Sequence, residues 1–432
     1  MTSASFSAGA AFIVSTCFLK SDMSFSKVFI SAIIFLMGSF FWSFIYLDYH
    51  YMKTKTIFGI LKYMFQIILF MLMFVGILFI SHYFIYFSLM NLFAIEILKF
   101  KYILIGALFI LPLSYFLSSL VAHYFDNVGT RFLYYISGLW LGILTALFTF
   151  FIFAWAIYGA GHVFGISIPK LWLGVAVILV TVLYTVCGIW DAPRVQIKNI
   201  TVQIKNLPAE WKGKKVVQLS DVHLGYVGGK EFLNEIVATT NSINPAAVFI
   251  TGDLFDGTGD KFDYLAEGLN GIQTTKGTYF VTGNHETYFG LDKVYGFLEK
   301  TNVKIFHDDI VVVDGLQILG INYPERMDKK SLSETIKKIP EYNPEGASIL
   351  LYHAPTNTDE AKANGIKLML AGHTHQGQIF PYGFITKFIF KGLDYGLHTD
   401  GDFSIYTTSG VGTWGPAMRV GTQSEIVVIT LE

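Results

Sequence analysis

Five apolar runs in the first 190 residues constrain this chain more than any other feature. Val28 to Leu47, Tyr63 to Phe87, Tyr102 to Val121, Leu133 to Tyr158 and Leu171 to Trp190 each reach the roughly 20 mostly apolar residues that cross a hydrocarbon core of about 30 Å. In that medium every backbone polar group must be paired within its own segment, so such runs fold as helices. Lys53, Lys55, Lys99, Lys101 and Arg131 fall between the runs, and Tyr134, Trp140 and Trp172 lie near run ends, as in an interfacial belt. An earlier run, Ala8 to Leu19, is too short to span and lacks the positive n-region and cleavage site of a signal peptide. It reads as a buried or interfacial helix. Lys62, Glu96, His82 and His123 all sit close to span ends, which favours an anchor over a channel or carrier.

The second part of the chain is of another kind. Residues 1–190 hold nine Lys/Arg against four Asp/Glu, and residues 191–432 hold 22 against 28. The net charge of −1 therefore conceals an apolar, slightly basic half and a mildly acidic globular half. No basic stripe is present, which argues against nucleic acid as a partner. Cys17 and Cys187 both lie in apolar runs, so the globular half has no disulfide framework. Lysines and arginines flanking the spans number five on the N-terminal side and seven on the side of the globular half. The positive-inside rule then favours a multi-pass protein of the cell membrane with its globular half in the cytoplasm.

Residues 191–215 alternate apolar and polar positions and read as an edge hairpin leaving the membrane. A pattern then recurs. VVQLSDVH, AAVFITGDL, GTYFVTGNHE, ASILLYHAP and IKLMLAGHTH are strand-length apolar runs. They end in Asp221 and His223, in Asp253, in Asn284 and His285, in His353, and in His373 and His375. Helical periodicity separates several of them, as at Phe232, Leu233, Ile236 and Val237, so the class is α/β or α+β. In open α/β sheets ligands bind beyond the carboxyl ends of the strands, and five strands deliver ligand-type residues to that edge. His307 and His398 fall outside these motifs and read as surface or core residues. A mixed nitrogen and oxygen donor set suits Mn, Zn or Fe. Seven candidate ligands exceed one tetrahedral ion but fit two ions that share a carboxylate, the arrangement that clamps both oxygens of an in-line displacement at phosphorus.

Asp-x-His (Asp221, His223), Gly-Asp (Gly252, Asp253), Gly-Asn-His-Glu (Gly283 to Glu286), the lone His353 and Gly-His-Thr-His (Gly372 to His375) resemble, in order and rough spacing, the calcineurin-like metallophosphoesterase superfamily. The spans, and the tail Ser409 to Gly421, resemble its membrane branch, often called transmembrane protein with metallophosphoesterase domain. The resemblance implies an N-terminal all-α multi-span membrane bundle of about five helices over 1–190. It implies a linker or edge hairpin over 191–213 and an α/β four-layer sandwich (αββα) over 214–432. Asp221, His223 and His375 are expected on one divalent ion, Asn284, His353 and His373 on the other, and Asp253 between them. Metal-activated water would attack phosphorus, and His285, next to Asn284, would serve the leaving oxygen as general acid or positive donor. Asp256 and Glu286 read either as residues orienting the histidines or as solvated loop charges. Arg419 reads as holding a phosphate oxygen or as a surface arginine.

The expected activity is hydrolysis of a phosphodiester or pyrophosphate. The bilayer would be a partner, and the substrate is expected to be lipid-linked; some relatives cleave UDP-2,3-diacylglucosamine. The segment Gln378 to Gly392 is aromatic and apolar with two lysines and reads either as an interfacial element or as a loop covering the core. Two alternatives stay open: a tethered phosphatase or phosphodiesterase for soluble substrates, and a transport or scaffold protein with a metal-sensing domain. Oligomeric state is not legible.

Overall fold

The computed structural model describes residues 57–256, 262–324 and 330–432. The expected span Val28 to Leu47 and the short run Ala8 to Leu19 lie outside the described residues. The chain divides into two compact units, Met1–Ile77 and Leu78–Glu432.

Four described helices are long and apolar enough to cross a membrane: α1 (Ile57–Leu92), α2 (Leu98–Tyr124), α3 (Val128–Val163) and α4 (Lys170–Asp191). They are the last four of the five expected spans, with longer bounds. At 1.5 Å per residue, the 36 residues of α3 make about 54 Å, well beyond the hydrocarbon core. Its first turns were not legible as helix because they begin with polar residues that cap it. The Asn127 side chain accepts hydrogen bonds from Gly129 N–H and Thr130 N–H, and Thr130 Oγ1 accepts one from Asn127 N–H. Polar groups within the bundle pair with one another. Trp140 Nε1–H donates to His82 Nε2 at 3.0 Å, and Trp155 Nε1–H donates to Ser88 Oγ at 2.9 Å. His82 Nδ1 in turn meets the Leu78 carbonyl at 2.7 Å.

Among its described residues the globular half holds twelve strands in two six-stranded sheets. One sheet runs β1 (Gln196–Val202), β12 (Glu425–Leu431), β2 (Lys215–Leu219), β3 (Ala247–Thr251), β4 (Thr278–Val281), β5 (Val303–Ile305). The other runs β10 (Gly396–Asp400), β11 (Phe403–Thr407), β9 (Leu368–Ala371), β8 (Ser348–Leu351), β7 (Leu316–Gly320), β6 (Asp309–Val313). Strands β2 to β5 are mutually parallel, as are β7, β8, β9 and β11.

Their near-continuous apolar runs follow from burial on both faces. Side chains alternate between layers. Val216, Phe249, Ile349, Leu351 and Leu370 join the core between the sheets. Val217, Val248 and Ile250 face Leu233 and Ile236 of α5 (Lys230–Ile243). Leu350 and Met369 face Leu332, Ile336 and Ala361. The result is the expected αββα sandwich. The expected edge hairpin is corrected: β1 pairs in parallel with β12, which lies between it and β2. Alternation marked β1 as an edge strand but carried no information about a partner more than 200 residues away.

Candidate metal centre

The parallel strands place their carboxyl ends along one edge, where the loops turn sharply. Asp221 (φ 53°), His223 (φ 52°), Asp253 (φ 50°), His373 (φ 74°) and His375 (φ 48°) all adopt left-handed backbone. Such conformations cost about 1–3 kcal/mol each outside glycine and persist where the surroundings over-determine them. The neighbouring glycines leave the room required. A Cβ at Gly372 would run into Asp221 Oδ2, one at Gly283 would run into Asp253 Oδ1, and one at Gly252 would lie 2.6 Å from His353 Nδ1.

The seven expected ligands converge. His223 Nε2 and His375 Nε2 stand 3.0 Å apart, and His375 Nε2 is 3.4 Å from Asp221 Oδ1. On the other side His353 Nε2 lies 3.2 Å from Asn284 Oδ1, 3.2 Å from His373 Nδ1 and 3.1 Å from Asp253 Oδ2. Two donors about 2.1 Å from one ion, at octahedral or tetrahedral angles, lie about 3.0–3.4 Å from each other. The observed separations fall in that window.

The donor chemistry fits cations as well. The His353 Nδ1 meets the Thr251 carbonyl at 2.7 Å, so Nδ1 carries the hydrogen and Nε2 points its lone pair at a carboxylate and an amide oxygen. Only a cation or a second proton relieves that contact. Although burial opposes it, the Asp253 carboxylate lifts His353 to about 10, so in the metal-free site a proton takes that role. Burial, then the charge of His353, holds His373 at about 4, and burial with neighbouring His285 holds His223 at about 3. His223 Nδ1 is buried without a hydrogen bond. Three overlapping donor groups result: Asp221, His223, His375; His223, Asp253, His285; and Asp253, His353, His373. The residues present fit two divalent ions on either side of Asp253.

His285 is partly exposed beside Asp253. Its Nδ1 meets Asp256 Oδ1 at 3.1 Å and its Nε2 lies 4.0 Å from Asp253 Oδ2. Burial pulls its pKa down, but Asp253 and Asp256 outweigh it and lift it to about 9. Asp256 thus orients His285. Glu286 does something else: fully buried, it accepts hydrogen bonds from four backbone N–H groups, those of Asp253, Leu254, Phe255 and Gly283. Neither residue is a solvated loop charge.

Arg419 is not a surface arginine. Its side chain is fully buried, and it donates to the carbonyls of Ser409, Gly410, Gly412 and Gln423. The guanidinium folds the tail loop, with Nη2 also 3.4 Å from His375 Nδ1 and Nε buried without a hydrogen bond. Tyr323 and Trp414 belong to the rim and were missed. The Tyr323 ring lies 5.9 Å from those of His353 and His373, and the Trp414 ring 5.9 Å from that of His285. Tyr323 follows β7, a sixth strand that ends at the same edge.

Residues 214–377 match the model of the calcineurin-like phosphoesterase family. A metallophosphoesterase of Aquifex aeolicus is 30% identical over 245 residues, covering 55% of this chain and 92% of that protein. The chain belongs to the calcineurin-like phosphoesterase family. A metallophosphoesterase of Campylobacter jejuni is 36% identical over 241 residues, 55% of this chain and 63% of the relative. A zebrafish protein named transmembrane protein with metallophosphoesterase domain is 31% identical over 276 residues, 59% of this chain and 62% of the relative. The chain thus spans less than two thirds of the length of these last two calcineurin-like phosphoesterases.

Proposed function

We propose that this chain is a membrane-held, metal-dependent phosphoesterase working at the cluster of Asp221, His223, Asp253, Asn284, His353, His373 and His375. The supporting observation is the spacing: donors from five strand ends stand 3.0–3.4 Å apart around two points, and Asp253 falls in one donor group with His223 and in another with His353 and His373. Two divalent ions bound there supply positive charge for the phosphoryl oxygens and a water acidic enough to react near neutral pH. The protein's own groups do the rest. Asp256 accepts from His285 Nδ1–H, which leaves Nε2–H directed at the site to donate to the departing oxygen. Glu286 fixes the loop that bears Asp253.

We read the substrate as a lipid-linked phosphodiester or pyrophosphate, with a UDP-2,3-diacylglucosamine-type ester as the first to test. The globular half is bolted to the spans, which supports this reading. Met418 is fully buried beside Leu139, Ala146 and Tyr184 of α3 and α4, Arg419 N–H donates to the Gly188 carbonyl at 2.9 Å, and Tyr226 O–H donates to the Ala122 carbonyl at 3.1 Å. A site so held stays at the bilayer surface, on the cytoplasmic side by the lysine and arginine count. A carrier role draws no support from His82, whose ring nitrogens are both engaged within the bundle. The test is His285→Ala in full-length protein loaded with Mn²⁺. Bound metal should be retained while turnover of a phosphodiester falls about 10²–10⁴-fold; unchanged turnover would remove His285 from the chemistry.

A further inference from the structure

The helix α6 (Tyr382–Ile389; the short helices between α5 and α6 are not numbered) has no buried residue. Phe384 is 70% exposed and Phe388 86%. They are four residues apart and so share one face, as do Ile385 and Ile389, both also exposed. A helix meant to cover the core would turn these side chains inward. Soluble surfaces rarely leave so continuous a patch of large apolar groups open.

Its place along the spans says what covers it. The residues just before it are tied to α4: Tyr184 O–H donates to the Phe380 carbonyl at 2.6 Å, and Ile379 and Phe380 pack in the cluster that includes Leu139 and Tyr184. The Tyr382 hydroxyl lies 3.0 Å from Thr145 Oγ1 on α3. The 22 residues of α4 match a hydrocarbon core with almost nothing to spare. Tyr184 stands seven residues before its end at Asp191, about 10 Å along the axis. The helix therefore begins at the depth where interfacial helices lie, about 5–10 Å into the headgroup and acyl boundary. Lys387 on the helix and Lys391 just past its end, both exposed, suit anionic headgroups.

We propose that α6 is seated in the membrane leaflet, with Phe384, Ile385, Phe388 and Ile389 among the acyl chains, and that it delivers membrane-borne phosphoesters to the metal centre. The second half of this statement rests on the phosphoesterase reading above. The helix leads directly to the site. The Phe390 ring, one residue beyond it, lies 6.0 Å from that of His373. A cavity of about 600 Å³ runs from Phe384 and Lys387 to Gln376, the residue after His375.

The test uses full-length protein in nanodiscs of phosphatidylcholine and phosphatidylglycerol, with Cys17→Ser and Cys187→Ser. A fluorophore on Phe388→Cys should be quenched by nitroxide lipids, and one on Lys362→Cys should not. Equal, absent quenching at both sites would overturn the leaflet seat, and a 388–388 disulfide between chains would assign the face to a second copy instead. Kinetics then address delivery. In the native-cysteine protein, Phe388→Asp with Ile389→Asp should lower turnover of a phosphatidyl p-nitrophenyl ester about tenfold or more, with bis(p-nitrophenyl) phosphate changed by no more than about twofold. Undiminished lipid turnover, or an equal loss on both esters, would overturn delivery by the helix. If the parent protein cleaved neither ester, the phosphoesterase reading would fall, and the quenching would still decide the seat of the helix.

Discussion

Glu286 Oε2 accepts the backbone N–H of Asp253 at 2.9 Å and that of Gly283 at 2.6 Å. One carboxylate thereby joins the loop after β3 to the loop after β4 and holds Asp253 in its left-handed backbone. Burial and the charge of Asp253 lift Glu286 to about 7, against the four N–H groups that favour its charged form. In Glu286→Gln an amide NH₂ would face N–H donors. Thermal unfolding should show a loss of about 3 kcal/mol and calorimetry a weaker affinity for Mn²⁺. An unchanged midpoint with unchanged affinity would mean that the clamp does not hold Asp253.

Protons and metal should compete for the site. In the metal-free protein His353 is raised from 6.5 to about 10, so it is protonated at pH 7.5 and an incoming ion must displace that proton. Affinity for Mn²⁺ should therefore fall as pH drops, by about tenfold per unit for each proton displaced. The same shift bears on stability. The His353 contribution is fully present below pH 6.5 and is lost as pH rises through about 10. Titrations in two buffers of different ionisation enthalpy count the released protons; none released at pH 7.5 would contradict this account.

His285 and Asp256 should act as one unit. Because Asp256 Oδ1 holds His285 Nδ1 at 3.1 Å, Asp256→Asn should lower kcat by about tenfold, and adding it to His285→Ala should cost little more. Steady-state kinetics of the two single variants and the double variant give the answer. Full additivity would separate the two residues.

The tail loop fastens the catalytic half to the bundle at two glycines. A Cβ on Gly142 would meet Met418 Sδ, and one on Gly188 would lie 2.7 Å from Met418 Cε. Gly142→Ala should destabilise by about 1–3 kcal/mol through overpacking, and Met418→Ala in the same chain should recover part of the loss. Thermal unfolding of the double variant reads the coupling; independent effects would place the fastening elsewhere.

The metal cluster was legible because short, near-continuous apolar runs identify buried parallel strands, and ligand-type residues at their ends need only the topology to converge. Asp221, His223, Asp253, Asn284, His353, His373 and His375 come together for that reason. Position relative to distant chain was not legible. Arg419 sits in a sequence that suits a phosphate contact, yet long-range folding of the tail buries it against four carbonyls. The pairing of β1 with β12 depends on register across the whole globular half. Glu286 looked like a partner for histidines, but it bonds backbone amides that no residue pattern reveals. The outward face of α6 was open to both readings until its neighbours were placed.

The most direct measurement counts metal and turnover together. Full-length protein purified with Mn²⁺, beside Asp253→Ala, would be assayed by elemental analysis and by hydrolysis of bis(p-nitrophenyl) phosphate. Asp253 lies in donor groups on both sides of the cluster, so the account predicts two ions per chain and measurable turnover in the parent. It predicts fewer ions and a loss of about 10³-fold or more in the variant. A folded parent protein that binds no Mn, Zn or Fe, or a variant that hydrolyses as fast as the parent, would contradict it.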